Sequence, residues 1–121
     1  MNCLINICSK HKKLGCDKAV KIYDGLSYQF LRNHKRSFDL YIISAKYGLI
    51  NENDIICNYD LKMTNKIAES IKDSVTMKFN LIRNNYDNIY INLSKIYLKS
   101  LEINDESNII YINEQQINKI K

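Results

Sequence analysis

The chain has 121 residues, of which 45% are hydrophobic and 26% are charged, and these values exclude a disordered chain and fit one globular domain. No apolar run approaches the roughly 18 residues of a membrane-spanning helix, which excludes that class of protein. The net charge of +5 is uneven, because residues 1–50 carry nine Lys or Arg against three Asp or Glu, while residues 51–121 carry nine against ten. The basic half favours an anionic ligand such as a nucleotide or a nucleic-acid backbone, with a ligand-free lysine-rich surface as the alternative.

Strand-like and helix-like stretches alternate along the chain, as is typical of a parallel sheet with helices on both faces. We therefore predict an α/β fold: a single Rossmann-like three-layer domain over residues 1–121, with a mostly parallel sheet of about four strands in βαβαβαβα order. Residues 45–61 are predicted as a long irregular loop, and Gly25 as a weak point in the first helix. The predicted strands are residues 2–7, 38–44, 86–93 and 108–112, and the predicted helices begin at Asp17, Thr64, Ser94 and Glu114.

The four cysteines, Cys3, Cys8, Cys16 and Cys57, form neither a Cys-x-x-Cys pair nor a zinc-site spacing. The N-terminus enters the first strand without the apolar region of a signal peptide. We therefore expect reduced thiols, a cytoplasmic protein, no metal site and no cofactor.

In a parallel α/β sheet, ligands bind at the carboxyl ends of the strands, so the residues that follow each strand form the candidate site. Cys8, Ser9 and Lys10 follow the first strand and begin a lysine-rich loop ahead of a helix, which is a candidate anion cradle. The loop lacks the glycine pattern of a P-loop. Cys8 is a candidate nucleophile as well, although a small buried thiol is the plainer interpretation.

The second predicted strand ends at Ser44, and Lys46, Tyr47 and Gly48 follow it. The alternation of a strand places Ser44 and Lys46 above the sheet, and Gly48 permits a positive φ or a close backbone approach. Lys46 is a candidate phosphate partner or base, against the alternative of a lysine that points to solvent.

The predicted loop closes with Tyr59 and Asp60. The Asp60 carboxylate is a candidate to activate water or to orient a ribose, and the alternative roles are a helix cap or a pair with Lys62. The sequence shows no catalytic triad and no acidic metal cluster.

These residues fall into one pattern. The pattern consists of Cys8-Ser9-Lys10, Tyr23 and Phe30 on the first helix, Ser-Ala-Lys-Tyr-Gly-Leu at 44–49, and Tyr59-Asp60-Leu61. It resembles the signature of a family of small prokaryotic and viral domains of unknown function, and the resemblance covers residues 1–64. The Ser-Ala-Lys-Tyr-Gly-Leu segment is similar to one in the archaeosine-synthase relatives of tRNA-guanine transglycosylases, and more distantly the chain resembles YaaA-like peroxide-stress proteins. Family members carry a Pro before the Tyr-Asp pair, where this chain has Cys57 and Asn58.

The resemblance implies a Rossmann-like domain concerned with nucleobases, nucleotides or nucleic acid. Our leading hypothesis is a small enzyme that cleaves or exchanges an N-glycosidic bond, with Asp60 and Lys46 as its catalytic residues. A non-catalytic, nucleotide-sequestering protein of phage-like or bacterial origin is the alternative. A nucleic-acid-binding module is the lower alternative, and a homo-oligomer is left open. The predicted substrate-binding residues are Cys8, Ser9, Lys10, Tyr23, Ser44, Tyr47, Gly48 and Tyr59.

Overall fold

The computed structural model describes residues 1–120 of the chain. Within this range the strands are β1 (Cys3–Ile7), β2 (Cys16–Lys18), β3 (Asp39–Ser44), β4 (Gly48–Asn51), β5 (Ile55–Cys57), β6 (Ile89–Asn92) and β7 (Ile109–Tyr111). The α-helices are α1 (Ala19–Ile22), α2 (Leu26–Asn33), α3 (Asn65–Ile82) and α4 (Lys95–Leu98), and single 3₁₀ segments cover Arg83–Asn85 and Glu114–Lys119.

The main sheet has five strands in the order β4-β3-β1-β6-β7. Strands β3, β1, β6 and β7 are parallel, and β4 pairs antiparallel at the edge. In the central register Ile5 lies between Tyr41 and Ile91. The mostly parallel α/β sheet is confirmed, but strict alternation of strands and helices is not what the chain order shows, because β2, β4 and β5 interrupt it.

Both faces of the sheet are covered, because alternate residues of each strand enter different apolar clusters. Leu4 and Ile42 pack with α1, α2 and the C-terminal 3₁₀ segment on one face. Ile5 and Ile43 pack with α3 on the other. Burial on both faces explains why the central strands are nearly continuous apolar runs in the sequence.

The first predicted helix is two helices in the structure. Tyr23 adopts an extended conformation after α1, and Gly25 is the N-cap of α2, so the break falls at the weak point that the sequence indicates. Asp17 does not cap the first helix, contrary to the prediction. It lies in β2 opposite Ile56, its carboxylate accepts the Lys18 N–H, and Lys18 takes the N-cap position of α1.

The predicted loop at 45–61 contains two strands. Ser44 pairs with Gly48 across a three-residue turn, and Gly48 has a φ of +73°, as a hairpin of this kind requires. The strand β5 pairs with the distant β2 in a separate two-stranded sheet. Sequence pattern does not reveal that pairing, because it joins segments far apart in the chain and leaves most of their side chains exposed.

The long helix α3 begins where the sequence predicts, since the Thr64 side chain accepts the N–H of Ile67. Ser94 occupies the N-cap position of α4 without a side-chain bond. Asn113 and Gln116 form a capping box ahead of the last 3₁₀ segment, and Lys121 of the predicted final helix lies outside the described residues. Among residues 1–120, no helix combines the length and the hydropathy that crossing a membrane requires.

Candidate functional site

A cleft of about 460 Å³ opens at the carboxyl ends of β1 and β6. The chain leaves β1 towards β3 on one side and returns through α3 to β6 on the other, so the cleft lies where the direction of the connections reverses. In open α/β sheets this is the usual place for a ligand. The lining includes Cys8, Lys10 and Lys12 after β1, Asp60, Lys62 and Met63 after β5, and Ile96 and Tyr97 of α4.

A buried hydroxyl network stands behind the cleft. The Tyr59 hydroxyl lies 2.8 Å from the Tyr23 hydroxyl and 2.7 Å from the Ser44 Oγ. The Ser44 Oγ also accepts the N–H groups of Lys46 and Tyr47, each at 3.1 Å. Tyr23 and Ser44 are 0% exposed, so these two predicted substrate-binding residues hold Tyr59 and the hairpin turn instead of facing the cleft.

The ring of Tyr59 attracts two ammonium groups. The Lys12 Nζ lies 4.4 Å from the ring centroid and the Lys46 Nζ lies 5.9 Å from it, within the range of cation–π attraction. Tyr47 packs edge-on at 5.6 Å between centroids. Burial raises the pKa of Tyr59, so its hydroxyl stays neutral and available to the network.

Lys46 lies beside the cleft and not in its lining. Its Nζ is 5.3 Å from the Tyr47 ring, and the side chain is exposed. The Tyr47 hydroxyl contacts the backbone of Cys57, accepting its N–H at 3.3 Å and donating to its carbonyl at 3.4 Å. The turn after β3 is therefore tied to the end of β5.

Cys8 lies at the end of β1 among tyrosines. Its Sγ is 2.9 Å from the Tyr97 hydroxyl, and both side chains are half-buried in the cleft lining. Burial, and secondly the hydrogen bond with Cys8, raises the pKa of Tyr97. The neighbouring Tyr28 hydroxyl donates to the Ile7 carbonyl at 2.5 Å, which fixes the strand end that carries Cys8.

Ser9 shapes the loop after β1. Its hydroxyl donates to the His11 carbonyl at 2.6 Å and accepts the N–H groups of Asp24 and Gly25 at 3.2 and 3.3 Å. A Cβ on Gly25 would lie 3.0 Å from the Ser9 Cβ, so any larger residue there would push the Ser9 loop away by a few tenths of an ångström. Ser9, which was predicted as part of an anion cradle, thus has its hydroxyl hydrogen-bonded within the protein.

Asp60 is exposed in the cleft lining. It does not cap α3, because Thr64 does. Within the described part of the chain it forms no ion pair with Lys62. The two structural roles considered for Asp60 are therefore absent, and its carboxylate faces solvent in a cleft that three lysines share.

The chain belongs to DUF6884. The model of this family of unknown function matches residues 3–115. No curated protein matches the chain. Membership supports the expectation of a domain of unknown function, while the likeness to archaeosine-synthase and YaaA-like domains stays a prediction.

The disulfide of this DUF6884 chain corrects the expectation that its thiols are reduced. Cys16 and Cys57 are bonded, while Cys3 and Cys8 are free. The register of β2 against β5 places Cys16 directly opposite Cys57, with 3.9 Å between their Cα atoms. Because the two cysteines are 41 residues apart in the chain, local spacing does not predict that they lie close together.

Of the residues predicted for the DUF6884 site, the structure places Cys8, Ser9, Lys10 and Asp60 together in the cleft lining. The prediction omitted Lys12 and Tyr97, which line the same cleft. The lysine-rich loop after β1 does indicate Lys12. Tyr97, by contrast, has the sequence pattern of an apolar position in a short helix, and only its contact with Cys8 identifies it as a cleft residue. Among residues 1–120 no cluster of three His, Cys, Asp or Glu side chains could hold a metal ion.

Proposed function

We propose that the cleft binds a nucleotide and that the protein acts on its N-glycosidic bond. The observation that carries the proposal is the grouping of Lys10, Lys12 and Lys62 with Asp60 around one cleft at the ends of the two central parallel strands. The lysines come from two separate segments, so their convergence is a product of the fold. Ammonium groups at this position supply point charges for phosphate.

The base has an apolar wall available on α4. Ile96 and Tyr97 line the cleft together with Met63. Tyr59, one of the predicted substrate-binding residues, is only 8% exposed and has Lys12 over its ring. We therefore assign base contact to Tyr97 in preference to Tyr59. The parallel order β3-β1-β6-β7 supports a Rossmann-like variant as the framework.

In the proposed reaction the bond between the sugar C1′ and the base nitrogen breaks, and the electron pair leaves with the base. The Asp60 carboxylate stabilises the positive charge that develops on the sugar. Water then adds to C1′, and its proton passes to Asp60 or to the departing base. Lys46, beside the cleft, adds positive charge near the phosphate.

A non-catalytic, nucleotide-sequestering protein is the second candidate. Asp60 is the sole carboxylate among the residues that the structure shows lining the cleft, whereas glycosidic-bond hydrolysis commonly uses two carboxyl groups. This observation favours binding without turnover.

The test combines thermal shift with product mass on a panel of nucleotides, NAD-derived compounds and modified nucleosides. Asp60→Asn should retain the shift and abolish any product. Lys12→Ala should weaken binding about tenfold, because a charge-assisted contact is lost. Lys35→Ala, an exposed lysine at the amino end of the sheet, is the matched control and should bind normally.

The outcomes separate the two candidates. Release of a base that depends on Asp60 supports the enzyme. Binding that depends on Lys12, with the ligand recovered intact, supports the sequestering protein. The absence of a shift with every compound in the panel would reject both.

A further inference from the structure

The small sheet of β2 and β5 joins the two segments that form opposite parts of the cleft lining. The loop with Lys10 and Lys12 leads into β2, and β5 leads directly into Asp60 and Lys62. The ladder has three residue pairs, and Cys16 with Cys57 is the pair at the end that faces both segments. The disulfide therefore lies where the two parts of the lining meet.

Besides the Lys12 ammonium over the Tyr59 ring, two exposed hydrogen bonds of Asn58 link these segments. The Asn58 N–H donates to the Gly15 carbonyl and its side-chain amide donates to the Lys13 carbonyl, both at 2.9 Å. Isolated two-stranded ribbons are marginally stable in water, and exposed hydrogen bonds add little to that. The covalent bond is accordingly the main constraint on the ribbon.

The two strands are anchored unequally. Ile56 of β5 is 3% exposed, whereas all three residues of β2 are exposed. Backbone hydrogen bonds fix the chain on both sides of β2. The Lys13 backbone N–H donates to the Ile22 carbonyl, and the Ala19 backbone N–H donates to the Asp54 carbonyl. The segment released by loss of the disulfide is therefore residues 14–18, with residues 57–62 losing their covalent neighbour.

The four cysteines also differ in access. Cys16 and Cys57 are exposed, Cys8 is half-buried, and Cys3 is 0% exposed. Because both bonded cysteines are exposed residues outside the main sheet, we expect a thiol reductant to reach the disulfide without unfolding that sheet. The exposed cysteines of the described residues thus lie beside the cleft.

We propose that Cys16 and Cys57 form a reversible thiol–disulfide site that controls how firmly the two segments of the cleft lining are held together. A dithiol reductant attacks one sulfur, the S–S bond breaks, and a second thiolate of the reductant releases the mixed disulfide. The reductant gives two electrons and two protons and becomes a disulfide, and Cys16 and Cys57 become thiols. Reduction frees residues 14–18 and lowers the affinity of the cleft for a nucleotide. The affinity effect rests on the proposed function, whereas the redox site does not.

The first experiment needs no ligand. The protein is equilibrated in dithiothreitol buffers of increasing reduced fraction, its free thiols are alkylated and located by mass spectrometry, and amide exchange is measured in each state. We expect Cys16 and Cys57 to become alkylated together while Cys3 stays protected. Exchange should rise at least about tenfold in residues 14–18, as for a locally opening segment, and stay unchanged in β1 and β6.

The double variant Cys16→Ser/Cys57→Ser is the control for direct effects of the reductant. It should show the open exchange pattern in both oxidising and reducing buffer. A disulfide that resists reduction in the folded protein would overturn the redox site. Exchange that rises equally in β1, β6 and residues 14–18 would also overturn it, because the bond would then be a general stabiliser.

The second experiment measures ADP binding in the oxidised and reduced states. Weaker binding after reduction in the wild type, with no redox effect in the double variant, supports control of the cleft. Equal affinity in both states overturns that control. If neither ADP nor any compound of the panel binds in either state, the control of ligand binding falls with the proposed function, and the exchange result decides the redox site by itself.

Discussion

The main sheet and the β2–β5 ribbon are held together in opposite ways. Leu4 and Ile5 in the central strand are 0% exposed, and helices cover both faces of the sheet. In the ribbon only Ile56 is buried, and a disulfide with a few exposed hydrogen bonds maintains the pairing. The stability of the fold therefore resides in apolar burial, while the ribbon beside the cleft has low local stability and depends on specific bonds.

The largest expected effect on stability comes from a substitution in the apolar cluster that packs against the main sheet. Phe79 of α3 is 0% exposed in the cluster beneath the sheet, so Phe79→Ala should lower the free energy of unfolding by about 3–5 kcal/mol. Leu81→Ala on the same helix is the matched control, because Leu81 is 73% exposed and should cost about 0.5 kcal/mol or less. Urea denaturation measures both. Equal losses would contradict burial as the source of stability.

The hydroxyl network between the two regions should give the next largest effect. Ser44→Ala removes the acceptor of two backbone N–H groups and the partner of the Tyr59 hydroxyl, which should cost about 2 kcal/mol. The control is Ser100→Ala, since Ser100 is equally buried but its hydroxyl donates one bond, to the Tyr97 carbonyl. It should cost about 1 kcal/mol. If the Ser100 variant were the less stable one, the network would not support the turn.

Alkaline pH should weaken the sheet. Burial, and secondly the charge of Asp39, raises the pKa of the Cys3 thiol from 9.0 to about 12. Between these values the unfolded chain has lost a proton that the folded protein retains, so stability falls with rising pH by about 1.4 kcal/mol per unit for this group. Below the pKa of Cys3 in the unfolded chain, the contribution of this thiol to stability is fully retained. Burial raises the pKa of Tyr28 as well, which steepens the fall at higher pH.

Urea denaturation of the oxidised protein at a series of pH values from neutral to alkaline measures this slope. The Cys3→Ala variant should show a shallower slope than the wild type, whatever its absolute stability. An unchanged slope would contradict the assignment to Cys3. The ribbon contributes no thiol titration while Cys16 and Cys57 are bonded.

The smallest effects compare one glycine from each region. Gly48 in the sheet has a φ of +73° and Gly15 beside the ribbon has a φ of +83°. A Cβ at Gly48 would contact the Val75 Cγ2 at an ordinary 3.6 Å, so Gly48→Ala should cost only the backbone strain of about 1–2 kcal/mol. Gly15→Ala should cost less, because the exposed loop can relax. Thermal unfolding of both variants checks the order, and a larger loss at Gly15 would show that the ribbon is rigid.

Local pattern was sufficient wherever burial is periodic. The apolar run ending at Ser44 predicted the second parallel strand, and Thr64 predicted the start of α3, because a cap and an apolar stripe are properties of neighbouring residues. The glycine at position 48 permitted a positive φ or a close backbone approach, and the hairpin uses the positive φ. The strand-end rule placed Cys8 and Asp60 in one site before any contact was known.

Long-range pairing defeated the same reasoning. Asp17 resembles a helix cap, but the ladder with Ile56 holds it in a strand. Ser9 and Tyr23 resemble ligand contacts, but the hydrogen bonds that they make with distant residues give them structural roles. No local signal distinguishes a hydroxyl that binds a ligand from one that binds the chain.

The sequence by itself determined the α/β class, the central buried strands and the strand ends at which the cleft lies, because each depends on residues close together in the chain. The tertiary structure alone decided that β5 pairs with β2, that Cys16 is bonded to Cys57 and that Tyr97 lies against Cys8. These contacts join residues 37 to 89 positions apart in the chain. Such contacts depend on how the sheet brings its connections together. Hydrophobic periodicity along the chain reports only which face of a helix or strand is buried, so it cannot predict them.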